Sequence, residues 1–179
     1  MKRKRIKSKV IAPKDHLVFE GNCASNNARI IHKYTEFEIE IWIDKHYHNR
    51  RIFGDDDGKR KGIEEKDVLN SIIKAFKCLI DIYFRYPQFK FINYFEKGKA
   101  TSKIRFVIQE FHSSGILNTV IEIHFLDVGK YEITIITAME VDDFNISDGQ
   151  YALRLSSSKI SLQKMINKNL TELYFVDLT

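Results

Sequence analysis

The sequence predicts one α+β domain in which N-terminal helices pack on a four- to five-stranded antiparallel sheet. Three observations support this prediction. A chain of 179 residues, 44% of them hydrophobic, is long enough for one hydrophobic core and short for two. One long segment repeats apolar residues every three or four positions, which is typical of a helix. Several later segments alternate apolar and polar residues, which is typical of strands.

The N-terminal part begins with a predicted basic arm over residues 1–12, because six of the first nine residues are Lys or Arg. Residues 13–179 form the predicted single domain. Thr35–Ile43 alternates apolar residues with glutamates and therefore predicts a half-buried strand. Asp44 is then a candidate N-cap for a short helix over Lys45–Phe53.

A second helix is predicted over Glu64–Tyr86, where an apolar stripe should pack on the sheet and Pro87 ends the helix. Most of the remaining chain predicts strands. The alternating or nearly alternating runs are Phe89–Phe95, Lys103–Phe111, Leu117–Leu126 and Lys130–Glu140. A further short helix is predicted over Ile160–Leu170, and Leu173–Leu178 is either a last strand or a docking segment.

The composition limits the classes of function. A net charge of +5 and a pI of about 9.1 favour a polyanionic partner, with nucleic acid as the first candidate. No stretch reaches the roughly 20 apolar residues of a membrane helix, so no membrane partner is expected. Two cysteines and the absence of a secretory signal favour a cytoplasmic location. Cofactor-binding motifs are absent, and Asp55–Gly58 is interpreted as an acidic turn, so we predict neither a cofactor nor a metal.

The candidate chemistry lies in the predicted first helix. His46 and Arg50 are four residues apart, so their side chains share one helical face. An imidazole can take the proton of a 2′-hydroxyl or protonate a leaving 5′-oxygen, and a guanidinium can stabilise the phosphorane. His48 is the alternative to His46. Because residues two positions apart on a helix point to different sides, only one of the two histidines should line the site. In the alternative interpretation these histidines and arginines lie on the surface of an exposed helix and have no catalytic role.

These features resemble the barnase/EndoU/colicin/RelE-like RNase superfamily, many of whose members are small toxin- or phage-associated proteins. The resemblance covers about residues 36–140. It rests on the His46-x-x-x-Arg50 pattern, the Lys61–Val68 segment that opens the second helix, and the Ile135–Ala138 segment, which is similar to a hydrophobic-Thr-Ala signature of the last core strand. It implies a four-stranded antiparallel sheet after the helices.

The resemblance also implies a catalytic set of His46, Arg50 and Thr137. His46 is then general acid or base, Arg50 binds the scissile phosphate, and Thr137 hydrogen-bonds the phosphate or orients the base. A basic residue near Lys61 completes the matched positions. The neighbouring cations are expected to bind substrate; they are Arg51, Lys59, Arg60 and Lys61.

Two strand residues are weaker candidates for substrate binding. Arg105 either faces solvent or contacts a phosphate on the open face of the sheet. Tyr131 either stacks a base or packs in the core, because period two places it on the same strand face as Ile133, Ile135 and Thr137.

The leading functional hypothesis is a metal-independent endoribonuclease domain, such as a bacterial or phage toxin, that cleaves RNA (tRNA or mRNA) by 2′-hydroxyl attack. A cognate antitoxin or immunity protein is the expected protein partner. The alternative is a non-catalytic α+β module that binds nucleic acid or a protein. A third interpretation is an immunity-type protein that uses its acidic segment, residues 142–148, to bind a basic partner.

Overall fold

The computed structural model describes residues 19–34, 38–54, 61–94 and 103–178. The predicted basic arm, residues 1–12, lies outside these ranges. The strands are β1 (Ala28–Tyr34), β2 (Ile39–Asp44), β3 (Asn93–Tyr94), β4 (Arg105–His112), β5 (Gly115–Asp127), β6 (Lys130–Glu140), β7 (Tyr151–Leu155), β8 (Lys159–Ile166) and β9 (Asn169–Asp177). The helices are α1 (Lys45–Phe53) and α2 (Glu65–Arg85).

The nine strands of the described ranges form one mixed sheet in the order β1-β2-β6-β5-β4-β7-β8-β9, with β3 pairing with β5 beyond the start of β4. The pairs β2–β6, β3–β5 and β4–β7 are parallel and the others are antiparallel. The predicted fold class is therefore wrong: of the described residues, 48% are in strands and 21% in helices, and the strands number about twice those expected.

The error has a physical cause at each end of the sheet. Ile160–Leu170 is not a helix but all of β8 except its first residue, followed by a turn and the start of β9. Its apolar residues are so few that their spacing fits either period, and only pairing with β7 decides the conformation. β1 was not predicted either: it directly follows the polar segment 21–27, which indicated a loop, and it pairs with β2.

The two helices agree with their predictions. α1 spans the predicted residues, and Asp44 caps it by accepting a 2.8 Å hydrogen bond from the His46 backbone N–H. α2 buries the apolar stripe that the sequence indicated, including Val68, Ile72 and Leu79. The helical face of the sheet is built from isoleucines and aromatic residues of β2, β4, β5 and β6, which form the main core.

The opposite face of the sheet is mixed. A small apolar cluster of Val107, Val120, Ile146 and Ala152 covers one part of it. Elsewhere on this face, β5 and β6 bury the charged and polar side chains of Glu122, His124, Glu132 and Thr134. Because side chains alternate across a strand, these polar residues lie between the isoleucines that point into the main core. We call this polar region the open face.

A close backbone contact sets the position of α1 relative to α2. A Cβ on Gly62 would overlap the backbone carbonyl of Arg51, so only glycine allows the segment before α2 to approach α1 this closely. Arg51 then forms ion pairs with Glu64 and Glu65, and the Tyr47 hydroxyl donates a 2.9 Å hydrogen bond to the Ile63 carbonyl.

We predict that Gly62→Ala lowers the free energy of unfolding by about 1–3 kcal/mol, because the added methyl group forces two backbone segments apart. Urea denaturation measures this change. Gly21→Ala is the matched control: a Cβ there meets nothing closer than 3.9 Å, so stability should change by less than about 0.5 kcal/mol. Equal stability of the two variants would contradict the proposed contact.

Candidate functional site

The N-terminal end of α1 brings two of the predicted site residues to the open face. His46 lies in the first turn and Arg50 one turn later, and both line a pocket of about 440 Å³. Asp44, which caps the helix, lines the same pocket. A short helix that follows directly from β2 therefore carries an imidazole and a guanidinium to one cavity over the sheet.

A bulge in β6 brings Thr137 to this pocket. Val120 pairs with Thr137 and the next residue, Ile121, pairs with Ile135, so Ile136 is an extra residue in β6. The Thr137 hydroxyl accepts a 3.1 Å hydrogen bond from Arg50 Nη1. The prediction that Thr137 shares a face with Tyr131, Ile133 and Ile135 is therefore wrong, because the bulge reverses the alternation after Ile135.

The floor of the pocket is the carboxylate of Glu122 in β5, whose side chain is only 1% exposed. Arg105 Nε lies 3.5 Å from Glu122 Oε1, and Lys103 Nζ lies 4.0 Å from Oε2. Among the described residues, neither oxygen has a hydrogen-bond partner of good geometry. The pocket thus contains a buried acceptor that two cations flank and that no described donor satisfies.

Burial sets the protonation of this carboxylate. Desolvation raises the pKa of Glu122 above the ordinary value for a glutamate, and the charges of Lys103 and Arg105 oppose the rise. The neighbouring His124 has a pKa lowered to about 4, chiefly by burial, so its imidazole is neutral at neutral pH. The Glu122 carboxylate is therefore a stronger proton acceptor than an exposed glutamate.

The segment 20–27, which we call the strap, forms one wall of the pocket through Ala24 and Ser25. Three contacts hold the strap on the open face. The Asn22 amide donates a 2.6 Å hydrogen bond to the Thr134 hydroxyl, the Cys23 backbone N–H donates a 2.9 Å hydrogen bond to Glu132, and Lys103 donates to the Ala24 carbonyl. Lys103 thereby connects the strap to the pocket floor.

Lys103 lies two residues before β4 and Arg105 is its first residue, and a buried amide holds this part of the chain. Asn93 in β3 accepts a 2.7 Å hydrogen bond from the Ile104 backbone N–H and donates to the carbonyls of Ile104 and Ile123. This network ties Ile104, between the two cations, to β3 and β5, which places Lys103 and Arg105 beside Glu122.

The arrangement suits an anionic ligand that also carries a proton donor. Arg50, Lys103 and Arg105 supply three cations around the cavity against two carboxyl groups, Asp44 at the wall and Glu122 as an acceptor at the floor. A volume of about 440 Å³ lies within the range of small-ligand sites, roughly 300–1,000 Å³. A phosphate would find charge-assisted donors at the rim, and a hydroxyl next to it would find the buried carboxylate.

The predicted residues divide into two groups. His46, Arg50, Thr137 and Arg105 come together in the pocket. Two other predicted cations do not line it: Arg51 pairs with glutamates at the start of α2, and Lys61 is exposed between the helices. The predicted cations Lys59 and Arg60 lie outside the described residues.

The structure also separates His46 from its rival. His46 is exposed at the pocket, whereas His48 is 6% exposed and packs edge-on against Phe19. Burial and the charge of Arg51 lower the pKa of His48. Tyr131 is 2% exposed, and its ring packs against Phe76 and Phe125 in the main core, so it does not reach the pocket.

Sequence reasoning missed Glu122, Lys103 and Asp44 as pocket residues. A signal for Glu122 was present, because a glutamate interrupts the apolar run from Val120 to Ile123. Its cross-strand partner Arg105 was a second signal, but the register that places them opposite each other is a tertiary fact. The strap gave no signal, since its polar residues read as an ordinary loop.

Within the described ranges, no three His, Cys, Asp or Glu side chains are grouped so that they could hold a metal ion, and no helix is long and apolar enough to cross a membrane. Comparisons of the chain with protein-family models, curated proteins and solved structures found no match. The likeness to the RNase superfamily therefore remains a prediction from its short motifs.

We predict that Glu122→Gln raises the free energy of unfolding at neutral pH by on the order of 1 kcal/mol. Because the pKa is raised in the folded state, ionisation of Glu122 costs stability as pH rises from the ordinary glutamate pKa through the folded value. Glutamine removes this cost. Lys103 and Arg105 remain solvated without the carboxylate, since their side chains are 48% and 56% exposed.

Urea denaturation of both proteins over a range of pH measures the effect. The stability advantage of the glutamine variant should shrink as pH falls from the raised pKa of folded Glu122 to the ordinary glutamate pKa, below which the wild-type side chain is protonated in both states. A glutamine variant that is less stable than the wild type at neutral pH would show that the ion pairs outweigh the cost of burial.

Proposed function

We propose that this protein is a metal-independent endoribonuclease that cleaves RNA by attack of a 2′-hydroxyl on the adjacent phosphate. One observation carries the proposal: His46 and the hydrogen-bonded pair Arg50–Thr137 line one pocket over the buried carboxylate of Glu122. This set contains two groups that can transfer protons and a donor set for a phosphate, which are the requirements of such a reaction.

Each residue has a separate role in the proposed reaction. Arg50 and Arg105 bind the scissile phosphate and stabilise the additional negative charge of the phosphorane. Thr137 orients Arg50 through the 3.1 Å hydrogen bond between them. This orientation matters because a guanidinium stabilises a transition state most effectively when it is already aimed at the developing charge.

Glu122 and His46 share the two proton transfers. The Glu122 carboxylate accepts the proton of the 2′-hydroxyl as the bond between O2′ and phosphorus forms. Protonated His46 donates its proton to O5′ as the bond between phosphorus and O5′ breaks. The products are a 2′,3′-cyclic phosphate and a 5′-hydroxyl end, and no other reactant is needed. Burial supports the role of Glu122, because a raised pKa makes the carboxylate a stronger base.

RNA is the proposed polyanion because the reaction needs a 2′-hydroxyl and because the chain has a net charge of +5. The pocket would contact a phosphate and a 2′-hydroxyl, which tRNA and mRNA both carry, so both remain proposed substrates. A cognate antitoxin or immunity protein remains the predicted protein partner.

We predict that the wild type cleaves single-stranded RNA in EDTA and that His46→Ala lowers the rate by about 10²- to 10⁴-fold, because the leaving oxygen loses its proton donor. His112→Ala is the matched control: His112 is exposed on β4 outside the pocket, and its replacement should leave the rate unchanged. Gel analysis of a labelled oligonucleotide measures both rates, and circular dichroism verifies folding.

Two results would overturn the catalytic assignment. Wild-type protein that binds RNA in a salt-dependent manner without cleaving it would support the non-catalytic binding module instead. Folded His46→Ala protein that cleaves as fast as the wild type would remove the imidazole from the mechanism.

We also predict a defined pH dependence. Cleavage should slow as pH falls through the raised pKa of Glu122, because the protonated acid cannot accept the 2′-hydroxyl proton. Glu122→Gln should lower kcat/KM by about 10²- to 10⁴-fold and abolish this acidic limb of the profile. Glu172→Gln, on the distant strand β9, should retain both rate and limb. A glutamine variant at position 122 with the wild-type profile would exclude Glu122 as the base.

A further inference from the structure

Phe53 is an aromatic residue on the surface of α1 that does not pack in the core and has no role in the proposed reaction. Its side chain is 79% exposed, although phenylalanine is among the residues that folded proteins most often bury. It is the last residue of α1, and Gly54 follows as the C-cap, with its backbone N–H donating a 2.8 Å hydrogen bond to the Arg50 carbonyl. The helix therefore ends in a well-defined turn that presents an aromatic ring.

The position of Phe53 on the helix connects it with the pocket. His46, Arg50 and Phe53 are spaced i, i+4 and i+7, so they lie along one stripe of α1. The buried residues of the helix, Tyr47 and His48, lie on the other side. Phe53 follows Arg50 by three residues, or about 4.5 Å along the helix axis. The exposed ring is thus the next group on the stripe after the proposed phosphate-binding guanidinium.

We propose that Phe53 is a stacking platform for an unpaired nucleobase next to the scissile phosphate, which makes single-stranded RNA the preferred substrate. This inference rests on the proposed function. Every base has a π-face that stacks on an aromatic side chain, and the adjacent cation attracts the phosphate of the same strand. In a duplex the bases are stacked on one another and are not free to cover the ring.

The stripe then explains how a short helix orients a strand of RNA. Arg50 holds one phosphate, and Phe53 holds a base beside it, so the strand follows the helix axis. His46, at the other end of the stripe, faces the bond to be cleaved. A positive charge and an aromatic platform in succession are the usual combination in sites that bind single strands without strong sequence preference.

The test measures binding without cleavage. A single-stranded oligonucleotide with 2′-O-methyl groups lacks the attacking hydroxyl, and fluorescence anisotropy gives its affinity. Phe53→Ala should weaken binding roughly 5- to 150-fold, in line with the loss of one stacked base. Phe84→Ala is the matched control, because Phe84 is a 65% exposed phenylalanine on α2 and not on the α1 stripe of His46 and Arg50; the affinity of this variant should equal that of the wild type.

Phe53→Trp gives a second readout. Tryptophan should retain affinity because it also stacks, and its emission should change when a base covers it. The chain contains a single tryptophan, Trp42, which is 7% exposed, so titration of the wild type with the same oligonucleotide corrects for its signal.

The outcomes separate this inference from the function on which it rests. If wild-type protein binds and cleaves RNA but Phe53→Ala binds as tightly as the wild type, the platform is overturned and the nuclease stands. An equal loss of affinity for single-stranded and duplex 2′-O-methyl RNA also overturns it, because a stacking site should discriminate between them. If the wild type binds no RNA at low salt, both proposals fail.

Discussion

The burial of one carboxylate is the constraint on which the candidate site depends. Glu122 stands in the middle of a sheet, 1% exposed, and it is tolerated there because Arg105 and Lys103 lie 3.5 and 4.0 Å from its oxygens. An isolated buried charge would be far too costly. The cations offset part of the cost but leave both oxygens without good hydrogen bonds among the described residues, so the group remains available to a ligand.

Lys103 links this carboxylate to the rest of the pocket. It faces Glu122 and donates to the Ala24 carbonyl of the strap, so the wall and the floor of the cavity share one cation. Another wall is α1, where the Arg50–Thr137 hydrogen bond joins helix and sheet. A site built in this way is preorganised, because its donors are held by other parts of the fold before any ligand arrives.

The two faces of the sheet have different tasks. The helical face is filled with isoleucines and aromatic rings and provides the hydrophobic stabilisation. The open face buries Glu122, Glu132 and His124. Burial raises the pKa of both glutamates and lowers that of the histidine, which in each case favours the neutral form. Stability supplied by the first face therefore supports an unfavourable polar arrangement on the second, as is common where a protein maintains a reactive site.

The sequence by itself determined the elements whose signals are local. α1 and its cap at Asp44, the apolar stripe of α2, and the nearness of His46 to Arg50 all follow from spacings within one turn or one helix. The sequence did not indicate which side chains would line the open face. Alternation defines two faces of a strand but does not show which of them the rest of the chain will cover.

Tertiary structure alone decided the number of strands, the burial of Tyr131 and the position of Thr137. The additional strands form because separate segments of the chain pair, as β8 does with β7. The sequence of a short apolar segment does not indicate which other segment it will pair with. Thr137 faces the pocket because of one unpaired residue, Ile136, whose insertion depends on the register between β5 and β6. Register joins residues far apart in the chain, so no local pattern specifies it.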